Sequence, residues 1–328
     1  MTLEQVSVLI RQYFPPELQT KIMCHKDSFH HLQEIRCRIG QPLFLCYAQG
    51  EEQQAADTVS SEQMQYMVSR ISQGSVYAWE EEFRRGYLTL PGGFRVGMTG
   101  KAVLEGGQIR TLTRISALNF RIAKAVPGVA EPLIPLLYHG TSIANCLLVS
   151  PPGGGKTTML RDIVRQLSNG AAWLAQRGRT VAVVDERSEI AGCIQAVPQM
   201  DVGCRTDVLD GCPKSEGIRM LLRAMTPQVI AVDEIGTDAD VQALEEAAES
   251  GVSVIATAHG DSVESLYRHP VLHKLIEGQY FAFIIVLKWQ TGQVVPQVYS
   301  KAGGGNYAIV RDIAAPDSGQ CDGILQSI

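Results

Sequence analysis

The residues best equipped for chemistry lie in SPPGGGKTTMLRD, 150–162. Glycines free the backbone to turn its N–H groups toward phosphate oxygens. A helix starting at the lysine adds the partial positive charge of its N-terminus. Pro152, Gly153, Gly154 and Gly155 are expected to form the cradle. Lys156 would reach the β- and γ-phosphates, the Thr157 hydroxyl would ligate Mg²⁺, and Thr158 would donate to the α-phosphate. The usual pattern, G-x-x-x-x-G-K-[ST], has glycine where this chain has Ser150. That difference falls at the corner before the loop, and three consecutive glycines still supply the free backbone. A strand-to-helix turn with no ligand would read the same way, so the loop alone does not decide.

Three other segments end an apolar run in polar residues. VIAVDEIG places Asp233 and Glu234 77 positions after Lys156. Asp233 suits the water shell of a magnesium ion, and Glu234 suits polarisation of an attacking water. VVDERSEI ends in Asp185-Glu186-Arg187, and VIATAHG in Thr257-Ala258-His259, where His259 could sense the γ-phosphate. Each tip alone fits a capped strand end. Four together point to one nucleotide site, because ligands of open α/β sheets bind beyond the carboxyl ends of the strands. Glu234 is the favoured base, since an Asp-Glu pair puts metal contact and water activation on one rigid tip. Glu186 is the alternative.

The elements that must carry these tips follow from periodicity. NCLLVS (145–150), TVAVVD (180–185), VIAVD (229–233) and VSVIATA (252–258) read as buried strands. TTMLRDIVRQLSNG (157–170) and DADVQALEEAAES (238–250) read as helices, and FAFIIVLK with QVVPQVYS as a final strand pair. Such alternation predicts an α/β fold with a mainly parallel sheet between helices. Before it comes a smaller α+β region. Residues 1–25 read as a helix stopped by Pro15-Pro16, with Leu3, Val6, Leu9, Ile10 and Phe14 on one face. EIRCRIGQPLFLCY reads as two strands, SSEQMQYMVSRIS as a serine-capped helix, and Pro91-Gly92-Gly93 as a hairpin turn. The expected division is 1–126, an N-terminal α+β domain; 127–303, a P-loop domain; and 304–328, a tail. The block from Met200 to Met225 reads as a polar loop with Arg205, Asp207 and Asp210, then an amphipathic helix.

Composition removes several classes. The chain has 328 residues and a net charge of −5, with a sequence pI near 5.8. This argues against a broad basic face for nucleic acid. The longest apolar run, Tyr280 to Leu287, falls far short of the ~20 residues of a membrane-spanning helix. The N-terminus lacks the features of a signal peptide. Eight cysteines without a C-x-x-C pair suggest reduced thiols in a cytosolic protein. His25, His30 and His31 read as surface residues.

The four polar tips resemble the Walker A, Asp-box, Walker B and His-box series of the type II/IV secretion ATPases. LQEIRCRIGQPL, GGFRVGMTGKAV, PPGGGKTT, VVDERSEI, PQMDVGCRTDVLDGCPKSEGI and VIAVDEIG are more closely similar to the stage III sporulation AA family, over about residues 30 to 300. The resemblance implies a RecA-like P-loop ATPase core, an ATP and Mg²⁺ requirement and a hexameric ring. It also implies a cytoplasmic, mother-cell location beside a membrane-embedded channel component, with no nucleic-acid partner and no membrane span of its own. In such rings an arginine crosses the interface to the neighbour's nucleotide. Of Arg95, Arg110, Arg114 and Arg121, the preferred candidates are Arg95 and Arg114. Two other readings keep the same core: a nucleic-acid-stimulated motor, and a scaffold that binds ATP without turning it over.

Overall fold

A computed structural model describes residues 3–47, 52–56, 58–73, 80–122, 125–140, 142–290, 293–301 and 307–312. These divide into two units. One holds residues 1–125 together with 192–200, and the other 126–191 with 201–328.

In the first unit, helix α1 (Leu3–Tyr13) buries Val6, Leu9, Ile10 and Tyr13 at helical spacing. Leu3, expected on that face, sits in the first turn and is exposed. Pro15 and Pro16 do end α1, but Pro16 also opens α2 (Pro16–Met23), because its fixed φ suits a first helical turn. There follow strands β1 (Leu32–Arg38), β2 (Leu43–Tyr47) and β3 (Glu52–Ala56) and helices α3 (Ser61–Ile71) and α4 (Glu80–Arg85). Strands β4 (Tyr87–Leu90), β5 (Phe94–Glu105) and β6 (Gln108–Arg121) complete the unit. A reciprocal cap between Ser60 and Gln63 starts α3. The strands form an antiparallel sheet in the order β3-β2-β1-β6-β5-β4. The turn between β4 and β5 uses Gly92 and Gly93 at positive φ, 86° and 78°. Phe14 and Phe120 meet at 4.6 Å between ring centroids in the core under the sheet. Residues 192–200 pack on the β4–β5 turn, where the Gly92 N–H donates to Gln199 Oε1.

The second unit begins with α5 (Ile134–Leu137), β7 (Tyr138–His139) and β8 (Ser142–Ile143). Then come β9 (Cys146–Ser150), α6 (Lys156–Asn169), β10 (Val181–Asp185) and β11 (Thr206–Asp210). The chain continues through α7 (Lys214–Met225), β12 (Val229–Val232), α8 (Asp238–Glu249) and β13 (Ser253–His259). It ends with α9 (Val263–Tyr267), α10 (Leu272–Glu277), β14 (Phe283–Gln290), β15 (Gln293–Lys301) and β16 (Tyr307–Asp312). The sheet order is β11-β10-β12-β13-β9-β14-β15-β16. The first six strands run parallel, and the last two are antiparallel. β9, β10 and β12 are buried throughout, as strands covered on both faces must be.

Two segments differ from expectation. Residues 206–210 form edge strand β11, not a loop. All five are half-buried, so neither alternation nor an apolar run marks them. Residues 307–312, expected in the tail, form β16 and pair with β15. Among the described residues no helix is long and apolar enough to cross a membrane.

Candidate nucleotide site

Register alone brings four strand tips together. Val184 lies beside Val232 and Val232 beside Ala256, which sets Asp185, Asp233 and Thr257 level across β10, β12 and β13. His259 pairs with Ser150, the last residue of β9. The loop after Ser150 turns through Gly153 (φ 73°) and Gly155 (φ 93°), which require the left-handed region. Gly155 caps α6 and, having no side chain, supplies no side-chain cap to the first N–H groups of the helix. This is an open, positively polarised helix end in the position an anion needs. Pro152 and Gly153 are exposed on the loop, and Thr157 and Thr158 are half-exposed in the first turn of α6.

Ser150 is fully buried inside the turn. Its hydroxyl donates to Pro151 O at 2.9 Å and accepts from Lys156 Nζ at 3.3 Å. Any Cβ on Gly154 would collide with that hydroxyl. Glycine is thus demanded at 154 because a serine replaces the standard glycine at 150. We expect Gly154→Ala to distort the loop and lower stability by about 1–3 kcal/mol, with loss of nucleotide affinity. Adding Ser150→Gly, which removes the obstructing side chain, should restore most of both. Thermal melts and nucleotide titrations of the single and double variants would show it.

Lys156 Nζ donates to Ser150 O at 2.7 Å and to Pro151 O at 3.1 Å. It also lies 3.1 Å from His259 Nδ1, while His259 Nε2 lies 3.1 Å from Glu234 Oε1. An ammonium can only donate, which makes Nδ1 the acceptor and leaves Nε2 to donate its proton to Glu234. Arg187 approaches the other Glu234 oxygen at 3.5 Å. A polar chain therefore runs Lys156–His259–Glu234–Arg187 across the four tips. Burial holds the Lys156 ammonium below its usual pKa, and the Glu234 charge opposes this.

Glu234 has φ 38°, a left-handed conformation uncommon for a residue with a side chain. Thr257 imposes it from the neighbouring strand. Its Oγ1 accepts from the Glu234 N–H at 2.7 Å, and its carbonyl accepts from the Ile235 N–H at 2.9 Å. The strain aims the carboxylate at the strand ends rather than along the sheet.

The three other carboxylates differ in kind. Asp185 is fully buried and accepts from the N–H groups of Glu189, Ile190 and Ala191, so it ties down the chain after β10. Asp233 is nearly as buried, yet its Oδ1 has no hydrogen-bond partner. Burial first, then the Asp185 charge, push its carboxyl up to about 7, against the pull of Lys214. A buried carboxylate oxygen without a donor suits a cation, and Thr157, in the first turn of α6, carries the hydroxyl that a phosphate-binding loop offers to magnesium. The donors present therefore fit the metal expected from the sequence. Glu186 is ion-paired with buried Lys214 at the start of α7. A cleft of about 450 Å³ opens beside Glu186, Arg187, Lys214, Glu234 and His259.

A profile of the family described as sporulation stage III, protein AA, matches residues 9–304. The chain belongs to that family. Stage III sporulation protein AA of Bacillus subtilis (strain 168) is 42% identical to it over 288 residues, covering 85% of this chain and 90% of that protein. Among solved structures, the X-ray structure of the Legionella pneumophila ATPase DotB is 18% identical with a TM-score of 0.58, over 87% of this chain and 80% of that one. The crystal structure of the pilus retraction motor PilT with bound ADP is 16% identical with a TM-score of 0.56, over 87% and 82%. At these identities the likeness is one of fold, a P-loop ATPase fold with a smaller α+β region before it.

In this sporulation stage III AA chain, the predicted loop residues, Asp233, Glu234 and His259 gather at neighbouring strand ends. Glu186 reaches the same cleft but is held by Lys214. Arg95 and Arg114 belong to the first unit. The Arg95 guanidinium lies 3.5 Å over the Tyr87 ring. Arg114 has φ 48° in a bulge of β6, where register with β5 shifts. Lys214 lies in a segment that resembles the family, but nothing in its type or spacing marks it: it follows Pro213 at a helix start, and only the fold shows that it is buried and paired with Glu186.

Proposed function

We propose that the chain is a magnesium-dependent ATPase, working as the ring motor of a secretion-like channel complex in endospore formation. The observation that supports this best is the alignment of Lys156, Asp233, Glu234 and His259 at adjacent strand ends, beside an uncapped helix N-terminus. ATP is the substrate. Pro152 to Thr158 would hold the phosphates, with the Lys156 ammonium on the β- and γ-oxygens. Thr157 and Asp233 would hold Mg²⁺, which when bound neutralises charge on those oxygens. Glu234, oriented by Thr257 and His259, would accept a proton from water as that water attacks the γ-phosphorus and the bond to ADP breaks. Glu186 is the less suited base, because Lys214 already occupies it.

The N-terminal unit, residues 1–125 with 192–200, would move against the P-loop unit as nucleotide is bound and released, with Arg95 or Arg114 meeting a neighbour's nucleotide. The ring would stand in the mother-cell cytoplasm against a membrane-embedded partner. Native mass with and without a non-hydrolysable ATP analogue tests the ring. A hexamer with the analogue is expected. A monomer under both conditions would remove the arginine-in-trans part of the reading.

A further inference from the structure

The β14–β15 hairpin carries an exposed tryptophan whose position the ATPase chemistry does not explain. Trp289 is 55% exposed near the carboxyl end of β14, the strand beside β9. It pairs directly with Val294 on β15. Directly opposed residues of an antiparallel pair present their side chains to the same face. The Val294 Cγ2 stands 3.5 Å from where a side chain on Gly155 would begin. The face that bears Trp289 is therefore the face that meets the phosphate loop. Alternation along β14 agrees. Ile284 and Val286 enter the core shared with α7, α8, α9 and α10, so Leu287 and Trp289, one and three positions beyond Val286, lie together on the opposite face. None of the buried residues of α6 is in that core.

The sheet order gives the site a polarity. β13 and β12, with His259, Asp233 and Glu234, lie on one side of β9, and β14 with Trp289 lies on the other. A nucleotide whose terminal phosphate meets Glu234 extends its base away from β13, toward β14. We propose that Trp289 is the platform on which the nucleobase stacks, a base subsite at the mouth of the loop. This rests on the nucleotide reading above. Stacking uses the flat π-face that every base has, and an aromatic platform of this type changes affinity by roughly five- to 150-fold per base.

Calorimetric titration of the full chain with Mg-ADP and with magnesium tripolyphosphate separates the base from the phosphates. Trp289→Ala should weaken ADP binding about tenfold or more and leave tripolyphosphate binding unchanged, while Trp289→Phe stays near the original ADP affinity. Unchanged ADP affinity in Trp289→Ala would overturn the platform and leave the nucleotide site standing. Equal weakening of both ligands would also overturn it, by showing that Trp289 only props the hairpin on the loop. If the unaltered chain binds neither ligand, the nucleotide reading itself has failed, and the platform with it.

Discussion

Glu234→Gln is expected to bind Mg-ATP with unchanged affinity and to hydrolyse it about 10²–10⁴-fold more slowly. The substitution is nearly isosteric, and Glu234 is held mainly through its backbone, by the Thr257 hydroxyl and carbonyl. Those contacts survive the change, as does an oxygen to accept from His259. What disappears is a group able to take a proton from water. Nucleotide affinity, read by titration, and turnover, read by phosphate release, should therefore separate. Normal turnover would move the role of base elsewhere, first to Glu186 with its Lys214 contact broken. Loss of both binding and turnover would mean that Glu234 shapes the phosphate site instead of activating water.

Lys156→Met should do the opposite and remove binding itself. The ammonium makes charge-assisted hydrogen bonds in a largely buried setting, each worth about 1.5–3 kcal/mol. Losing its phosphate contacts predicts an ATP affinity at least about tenfold to a hundredfold lower, with turnover below detection. The effect on the fold should be small. Burial already works against the Lys156 charge, and methionine keeps most of the hydrocarbon stem. The cost is the loss of donors to Ser150 O and Pro151 O, offset in part because no ammonium remains buried. A melting temperature that falls steeply would mark Lys156 as a structural clamp on the loop.

Much of this arrangement was legible from residue order alone. The strand–loop–helix unit at β9 and α6 announces itself, because a buried run, three glycines and an amphipathic helix each follow from local physics. The same holds for Asp233-Glu234 at the end of β12. What could not be read depends on neighbours that sequence does not place. β11 is half-buried at every position, since an edge strand is paired on one side only, so its residues resemble a loop. Asp185 and Asp233 look equivalent as strand-end acids. Only the fold shows that one spends its oxygens on three backbone N–H groups while the other keeps an oxygen without a donor. Ser150 appeared as a departure from a pattern, and packing turns it into the reason that Gly154 must be glycine. Neither Lys214 nor Trp289 stands out by type or spacing. Their interest comes from a buried pairing with Glu186 and from register with Val294.

The most direct test is phosphate release from Mg-ATP by the full chain, measured beside the Lys156→Met variant and with the magnesium chelated. Steady release is expected from the unaltered chain, lost both in the variant and without magnesium. No release from an assembled ring, or release that persists undiminished in Lys156→Met, would contradict it.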